Sequence, residues 1–394
     1  MSDKPASQTA FDQARAAFSA GLACHQAGDF SQAVLHYQAS LRLLPGRPST
    51  LTNLAASQLQ LGQPAAALAS ADAALAAEPD SADALLHRAT ALAQLGRAEQ
   101  ALAEFERLTT LAPGHPLAWS HRGNLLRELQ RHDEATSVLR EAMRLGADAE
   151  LHRWYLAGLG DGSPPPAPPR RYVERLFDGY ADDFDAHLLG PLGYCAHHEL
   201  VARVRRCADG PQPFRSVLDL GCGTGLCGPL LRPLLQAPDG RLTGIDLSAA
   251  MLGHARACGA YHRLEQADAV QFLATSAEPF DLVVAADVLI YLGDPAPLFA
   301  AAARAMRHGL LAFTAEATPD ADAGGPAAGW QLLPSLRYAH ARAHLLQLAL
   351  AFGFEPLLAE LAPVRSDQGR PVDGLYLVLR RAAGDPPGLG SAAA

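Results

Sequence analysis

The residues best suited to chemistry lie mid-chain, in Ser216-Val217-Leu218-Asp219-Leu220-Gly221-Cys222-Gly223-Thr224-Gly225-Leu226-Cys227-Gly228. A short apolar run carries one acid, Asp219, and then breaks into glycines at alternate positions. Glycine lets the backbone turn with positive φ and approach a ligand closely, and the helix that follows begins with unpaired N–H groups. Such a turn suits a nucleotide-like ligand. Three more acids stand at the ends of later apolar runs: Asp246, Asp268 and Asp287. An acid in the place of Asp246 grips ribose hydroxyls. Asp219 stands two residues before Gly221. A carboxylate there accepts hydrogen bonds from an ammonium group and repels a pyrophosphate.

The elements that must position these acids read as alternating strands and helices, which implies a parallel sheet covered on both faces. Strands are expected at residues 217–220, 242–247, 264–267, 280–286 and 310–314, with a closing pair at 356–361 and 375–380. A glycine turn followed by an acid after the second strand is shared by NAD-binding Rossmann domains and S-adenosylmethionine (SAM) methyltransferases, so it does not separate them. The full Asp-x-Gly-x-Gly-x-Gly pattern, the later Asp268 and the closing strand pair resemble class I SAM-dependent methyltransferases over residues 171–381.

That resemblance implies an α/β Rossmann-like domain with a mostly parallel seven-stranded sheet, and SAM as cofactor. Asp219, Gly221, Gly223 and Gly225 would bind the methionine part and Asp246 the ribose. Asp268 and the Ala269 N–H would hold the adenine. Met251 would touch it too, or simply fill the core. The aromatic–acidic stretch at residues 176–185, with Tyr180, resembles the segment that covers the cofactor in many members; an amphipathic helix packing its aromatics would look the same. Asp287 would face the reactive methyl. It is followed by Val288-Leu289-Ile290 instead of the Pro-Pro-Tyr found in enzymes that methylate adenine or glutamine nitrogens. Acceptor contacts are expected from Tyr291, Arg337 and Tyr338. Arg337 would hold a carboxylate and His340 serve with Asp287 as a catalytic group, unless these are loop residues ahead of a helix at 342–351.

The first 160 residues repeat with a period of 34. Pro45, Pro79 and Pro113 keep it, as do Gly28, Gly62 and Gly96, and Ala33, Ala67, Ala101 and Ala135. The pattern is the tetratricopeptide signature, and the residues resemble that family. It implies an all-α solenoid of about four repeats over residues 14–160, whose concave surface binds a protein or peptide, or which serves as a scaffold. Residues 149–159, with Trp154 and Tyr155, are the expected capping helix. The second unit departs from the pattern with Ala55 and Ala71 for the usual glycine and aromatic, and the fourth with Gln130 and Ala147 for the turn glycine and closing proline. The proline-dense residues 161–170 read as a semi-rigid linker ahead of a domain at 171–382, and residues 383–394 as a disordered tail.

Composition bounds the rest. Hydrophobic residues make up 49% and charged ones 19% of 394, which is globular. A net charge of −9 argues against a protein built to hold a nucleic-acid backbone. With no apolar run of membrane-spanning length and no secretory signal, a cytoplasmic protein is expected. Six cysteines without Cys-x-x-Cys spacing read as free thiols, and no metal is expected. The leading reading is a SAM-dependent methyltransferase of undefined acceptor whose repeats dock a partner. The alternatives are a non-catalytic SAM-binding adaptor and an NAD-linked enzyme.

Overall fold

The computed structural model describes residues 6–179, 181, 184–190, 192–210, 213–319, 325–367 and 370–381. Tyr180 and the tail at 383–394 therefore lie outside the described residues. The chain divides between Leu159 and Gly160 into two compact units.

The first unit is built from nine helices among the described residues: α1 (Ala6–Gln26), α2 (Phe30–Leu43), α3 (Pro48–Gln60), α4 (Pro64–Ala77), α5 (Ala82–Gln94), α6 (Ala98–Leu111), α7 (Pro116–Glu128), α8 (His132–Arg144) and α9 (Ala149–Gly158). They pack as successive pairs, α1 on α2 through α7 on α8, each pair stacking on the next and α9 closing the series on α8. Pro45, Pro79 and Pro113 sit two residues beyond α2, α4 and α6, where a missing N–H cannot extend the helix. The pair contacts explain the irregular second repeat. A Cβ on Gly21 would lie 2.7 Å from the Tyr37 ring, and one on Gly123 2.6 Å from Leu139. The same two positions of the second repeat hold Ala55 and Ala71, both fully buried in one cluster. Without the aromatic ring there is room for a methyl group. Size is exchanged between facing helices and the spacing is kept.

In the second unit three helices come first: α10 (Arg170–Asp178), α11 (Phe184–Leu189) and α12 (Ala196–Cys207). Strands and helices then alternate: β1 (Ser216–Leu220), α13 (Gly228–Leu231), β2 (Arg241–Asp246), α14 (Ala249–Ala257), β3 (Arg263–Gln266), α15 (Ala269–Thr275), β4 (Leu282–Ala285), α16 (Ala296–Ala305) and β5 (Gly309–Thr318). The chain ends in β6 (Trp330–Leu332), β7 (Tyr338–Ala341), α17 (Arg342–Ala351), β8 (Phe354–Asp367) and β9 (Arg370–Arg381).

Strands run in the order β3-β2-β1-β4-β5 with every pairing parallel, while β9 lies antiparallel on β5 and β8 on β9. Side chains alternate between two cores, Leu218 and Leu220 on one face and Val217 on the other. Burial on both faces is why the strands read as continuous apolar runs.

The sheet has nine strands among the described residues, against the seven expected. The difference is the hairpin β6–β7. The far end of β5 runs on past the residues it shares with β4, and its Glu316–Thr318 stretch pairs in parallel with β7. Residues 338–341, expected as loop, are thereby a fully buried strand.

Candidate active site

The parallel strands deliver their C-terminal ends to one edge, and the four acids follow β1, β2, β3 and β4 into a single cavity of about 330 Å³. Gly221, Gly223, Met251, Ala269, Tyr291 and Arg337 line it as well. Ten of the thirteen expected site residues that are described are thus brought together. Gly225 is not among the lining residues: it packs beneath the turn, where a Cβ would meet Cys258, Ala255 and Tyr261 at 3.0–3.2 Å. Gly223 has φ +54 and no atom within 4 Å of where a Cβ would be, so the turn leaves open space beside a backbone that only glycine adopts easily.

Each acid is fixed differently. Asp219 is buried and accepts a 2.6 Å hydrogen bond at Oδ2 from the Tyr261 hydroxyl. Burial pushes its carboxyl up to about 7 despite that bond. Asp246 accepts from the Gly223 N–H at Oδ2 (2.9 Å) and from the Ser248 N–H at Oδ1 (2.8 Å), tying the second strand to the glycine turn; burial also raises it. Asp268 caps α15, accepting at Oδ1 from the Gln271 N–H. Asp287 adopts φ +57, a conformation that costs a non-glycine residue of order 1–3 kcal/mol. Its N–H donates to the Thr314 hydroxyl at 2.8 Å, which holds the turn; burial raises its carboxyl, with Arg337 and then Arg365 opposing.

Two more acids complete the arrangement, and sequence reasoning gave neither a role of its own. Asp178, at the end of α10, accepts from the Ser248 hydroxyl at 2.6 Å, while Ser248 caps α14 through the Met251 N–H. Asp185, in α11, accepts from the Thr224 hydroxyl at 2.5 Å. The aromatic–acidic stretch is bonded at both ends to the loops after β1 and β2, and its Phe177 and Phe184 line the cavity. Phe177 meets Tyr291 edge-on at 5.5 Å. The spacing of hydroxyl residues in the two loops was the available signal, but only the fold shows which acid each meets.

Two expected residues are corrected. His340 is wholly buried in β7 and does not line the cavity. Its Nε2 donates to the Leu289 carbonyl at 3.1 Å, and burial lowers its pKa to about 4. It braces the turn that carries Tyr291 and cannot reach a substrate as a base. Tyr338 is also buried away from the cavity, and its hydroxyl donates to the Pro165 carbonyl at 2.8 Å. The Gly293 and Asp294 N–H groups donate to the Pro166 carbonyl at 2.7 and 3.2 Å. The proline-rich segment is bonded onto the second unit, and Ala167 and Pro168 form part of the cavity wall.

A cavity with four carboxyl groups, three of them raised by burial, is matched to a ligand carrying positive charge, which would restore their ionised forms. It is poorly matched to a pyrophosphate. All six cysteines are free thiols, and no metal-binding group of three or more His, Cys, Asp or Glu occurs among the described residues.

Comparison with known proteins agrees with this geometry. A methyltransferase domain family model matches residues 218–309, and a tetratricopeptide repeat model matches 9–48, 52–116 and 96–150. The chain joins tetratricopeptide repeats to a methyltransferase domain. Its methyltransferase domain is 37% identical over 103 residues to a ubiquinone biosynthesis O-methyltransferase of Aromatoleum aromaticum, covering 25% of this chain and 42% of that protein. It is 35% identical over 99 residues to a demethylmenaquinone methyltransferase of Symbiobacterium thermophilum, covering 24% and 37%. The chain thus spans less than half the length of the curated relatives it matches. Among solved structures, a magnesium protoporphyrin IX methyltransferase from Synechocystis with bound S-adenosylhomocysteine (SAH) is 19% identical, with TM-score 0.41, over 54% of this chain and 99% of that one. A tetratricopeptide protein of Thermus thermophilus is 24% identical, with TM-score 0.34, over 37% and 80%.

Proposed function

We propose that this chain transfers the methyl group of SAM to an acceptor, and that its repeats dock a protein partner. The observation that carries the reading is the meeting of Asp219, Asp246 and Asp268 with Gly221 and Gly223 in one cavity at the C-terminal edge of the sheet. Asp219 would accept from the ammonium of the methionine part, Gly221 and Gly223 would let that part lie against the backbone, and Asp246 would take the ribose hydroxyls. Asp268 and the Ala269 N–H would hold the adenine edge, with Met251 beneath. When bound, SAM supplies a methyl group made electrophilic by its sulfonium.

The chain's part is alignment, and removal of a proton where the acceptor has one to lose. Thr314 holds Asp287 so that its Oδ2 is left to accept that proton, and Tyr291 and Arg337 position the acceptor beside it. Phe177 and Phe184 exclude water. The repeat array supports a partner-docking protein, which we place in the cytoplasm. The working division is a repeat array up to Leu159 and a catalytic unit from Gly160 that takes in the proline segment.

Calorimetric titration with SAH tests the cofactor assignment. Asp246→Ala is expected to weaken binding at least about tenfold, about 1.4 kcal/mol and so near the lower end of what a hydrogen bond to a charged group contributes. Unchanged binding in that variant, or displacement of SAH by NADH, sinks the assignment. Incubation with labelled SAM and a fractionated extract then separates turnover from mere binding. Protein label that disappears when residues 1–160 are removed supports docking by the array.

A further inference from the structure

We propose that Arg337 binds the carboxylate of the methyl acceptor, and that the acceptor is an organic acid with a compact apolar body. The proposal rests on the methyltransferase reading and names the substrate class of the same cavity.

Among the described residues that line the cavity, Arg337 carries a guanidinium nitrogen that the fold leaves unmatched. Its Nη1 is shut off from water and has no hydrogen-bond acceptor among the described residues. A buried charged donor without an acceptor is costly, so a site that retains one is shaped for a ligand that supplies it. The other arginine on the cavity wall, Arg170, is paired with Glu174 at 2.8 Å. Arg365, whose charge also reaches Asp287, is paired with Glu316 at 2.7 Å. Of the charges acting on Asp287 and Tyr291, that of Arg337 is the strongest, and all three residues line the same cavity.

The backbone that presents Arg337 is itself strained. Leu336, buried immediately before it, has φ +62. The turn is held by the Leu336 N–H on the Leu333 carbonyl (2.8 Å) and the Leu333 N–H on the Arg337 carbonyl (2.9 Å). Leucine in this conformation costs of order 1–3 kcal/mol, and such strain gathers at ligand clamps. The hairpin that carries this turn also supplies Tyr338, which anchors the proline segment through Pro165. One insertion therefore sets both the cation and the wall facing it.

A guanidinium fork matches a carboxylate in a plane, and a single such group without lysines or clustered backbone N–H groups suits one carboxylate better than a phosphate dianion. Much of the cavity that Arg337 lines is apolar, with Ala167, Pro168, Val173, Phe177, Ile290 and Leu292 on its wall. The same cavity would also hold the cofactor, so the acid takes only the part beside Arg337, which favours a compact body.

The test uses the full chain saturated with SAH and titrated with phenylacetate and hexanoate, against phenylacetamide, hexanamide and phenyl phosphate. The acids should bind at least about tenfold tighter than their amides. Arg337→Met should remove that preference while SAH affinity stays unchanged, and Arg337→Lys should restore part of it, because a point charge replaces the fork. Equal binding of acid and amide, no acid binding, tighter binding of phenyl phosphate, or an Arg337→Met chain that keeps the preference overturns the proposal and leaves the methyltransferase reading standing. Failure of the unaltered chain to bind SAH removes that reading and the proposal with it.

Discussion

In the repeat array the left-handed residues Gly28, Gly62, Gly96 and Gln130 recur at one period, each at the turn between paired helices. In the methyltransferase domain Gly221, Gly223 and Asp287 share no period but gather at one cavity, and Leu336 stands next to Arg337 on its wall. The array uses the conformation to change direction: nothing lies within 4 Å of a Cβ built on Gly28, Gly62 or Gly96. The domain uses it to line that cavity or to bring backbone against other backbone. A Cβ on Gly309 would stand 1.9 Å from the Asp281 carbonyl oxygen. Repetition makes a turn cheap to alter. Convergence of distant segments does not.

The contrast can be broken by substitution. The largest effect is expected for Gly309→Ala, which combines φ +103 with that backbone collision and should destabilise the domain by more than about 3 kcal/mol in denaturant unfolding. Gly28→Ala, at φ +80 in open space, should cost only about 1–2 kcal/mol. Equal losses at the two sites would refute the distinction.

Next in size is the pH dependence of the cofactor site. The fold raises Asp219 to about 7, so the carboxyl is largely protonated below that pH and offers an ammonium group no negative charge. SAH affinity should therefore strengthen as pH rises through about 7, by up to about tenfold per unit on the acidic side. The sign for stability is opposite. The protonated form that the fold favours is lost as pH climbs from the ordinary carboxyl range to about 7, and the ligand-free domain weakens over that window. Asp219→Asn should abolish the affinity trend and reduce the stability trend, the remainder of which Asp246 and Asp287, also raised by burial, would carry. Persistence of the affinity trend in that variant would move its origin to another group.

The smallest effect sharpens the array side. Gln130 holds φ +59 where three sister turns have glycine, and Gln130→Gly should raise the unfolding free energy by about 0.5–1 kcal/mol. A loss of stability instead would mean that the glutamine side chain contributes to the turn.

How much of this was legible follows the same division. The array was readable almost whole, because each repeat meets only its neighbours and a local pattern is enough: α7 begins at Pro116 and α9 caps the series, as the period implied. In the domain, β1 to β4 and their trailing acids were legible, since a buried parallel strand ending in an acid is a compact signal. The β6–β7 hairpin was not. Its strands are three and four residues long, and they are stabilised by Glu316–Thr318 of β5, a partner that no local pattern names. His340 illustrates the cost: as a polar residue after a strand it looked available to a substrate, and only the added strand shows it buried.

The sequence by itself determined the repeat, the succession of strands and the four acids that end them, because these depend on residue type and near spacing. Only the tertiary structure decided which groups share a cavity. It joined Asp178 to Ser248 and Asp185 to Thr224, closed the wall with Ala167 and Pro168, and left the Arg337 nitrogen without an acceptor. Each of these depends on segments separated by tens of residues, which meet only when the sheet's pairing order is complete.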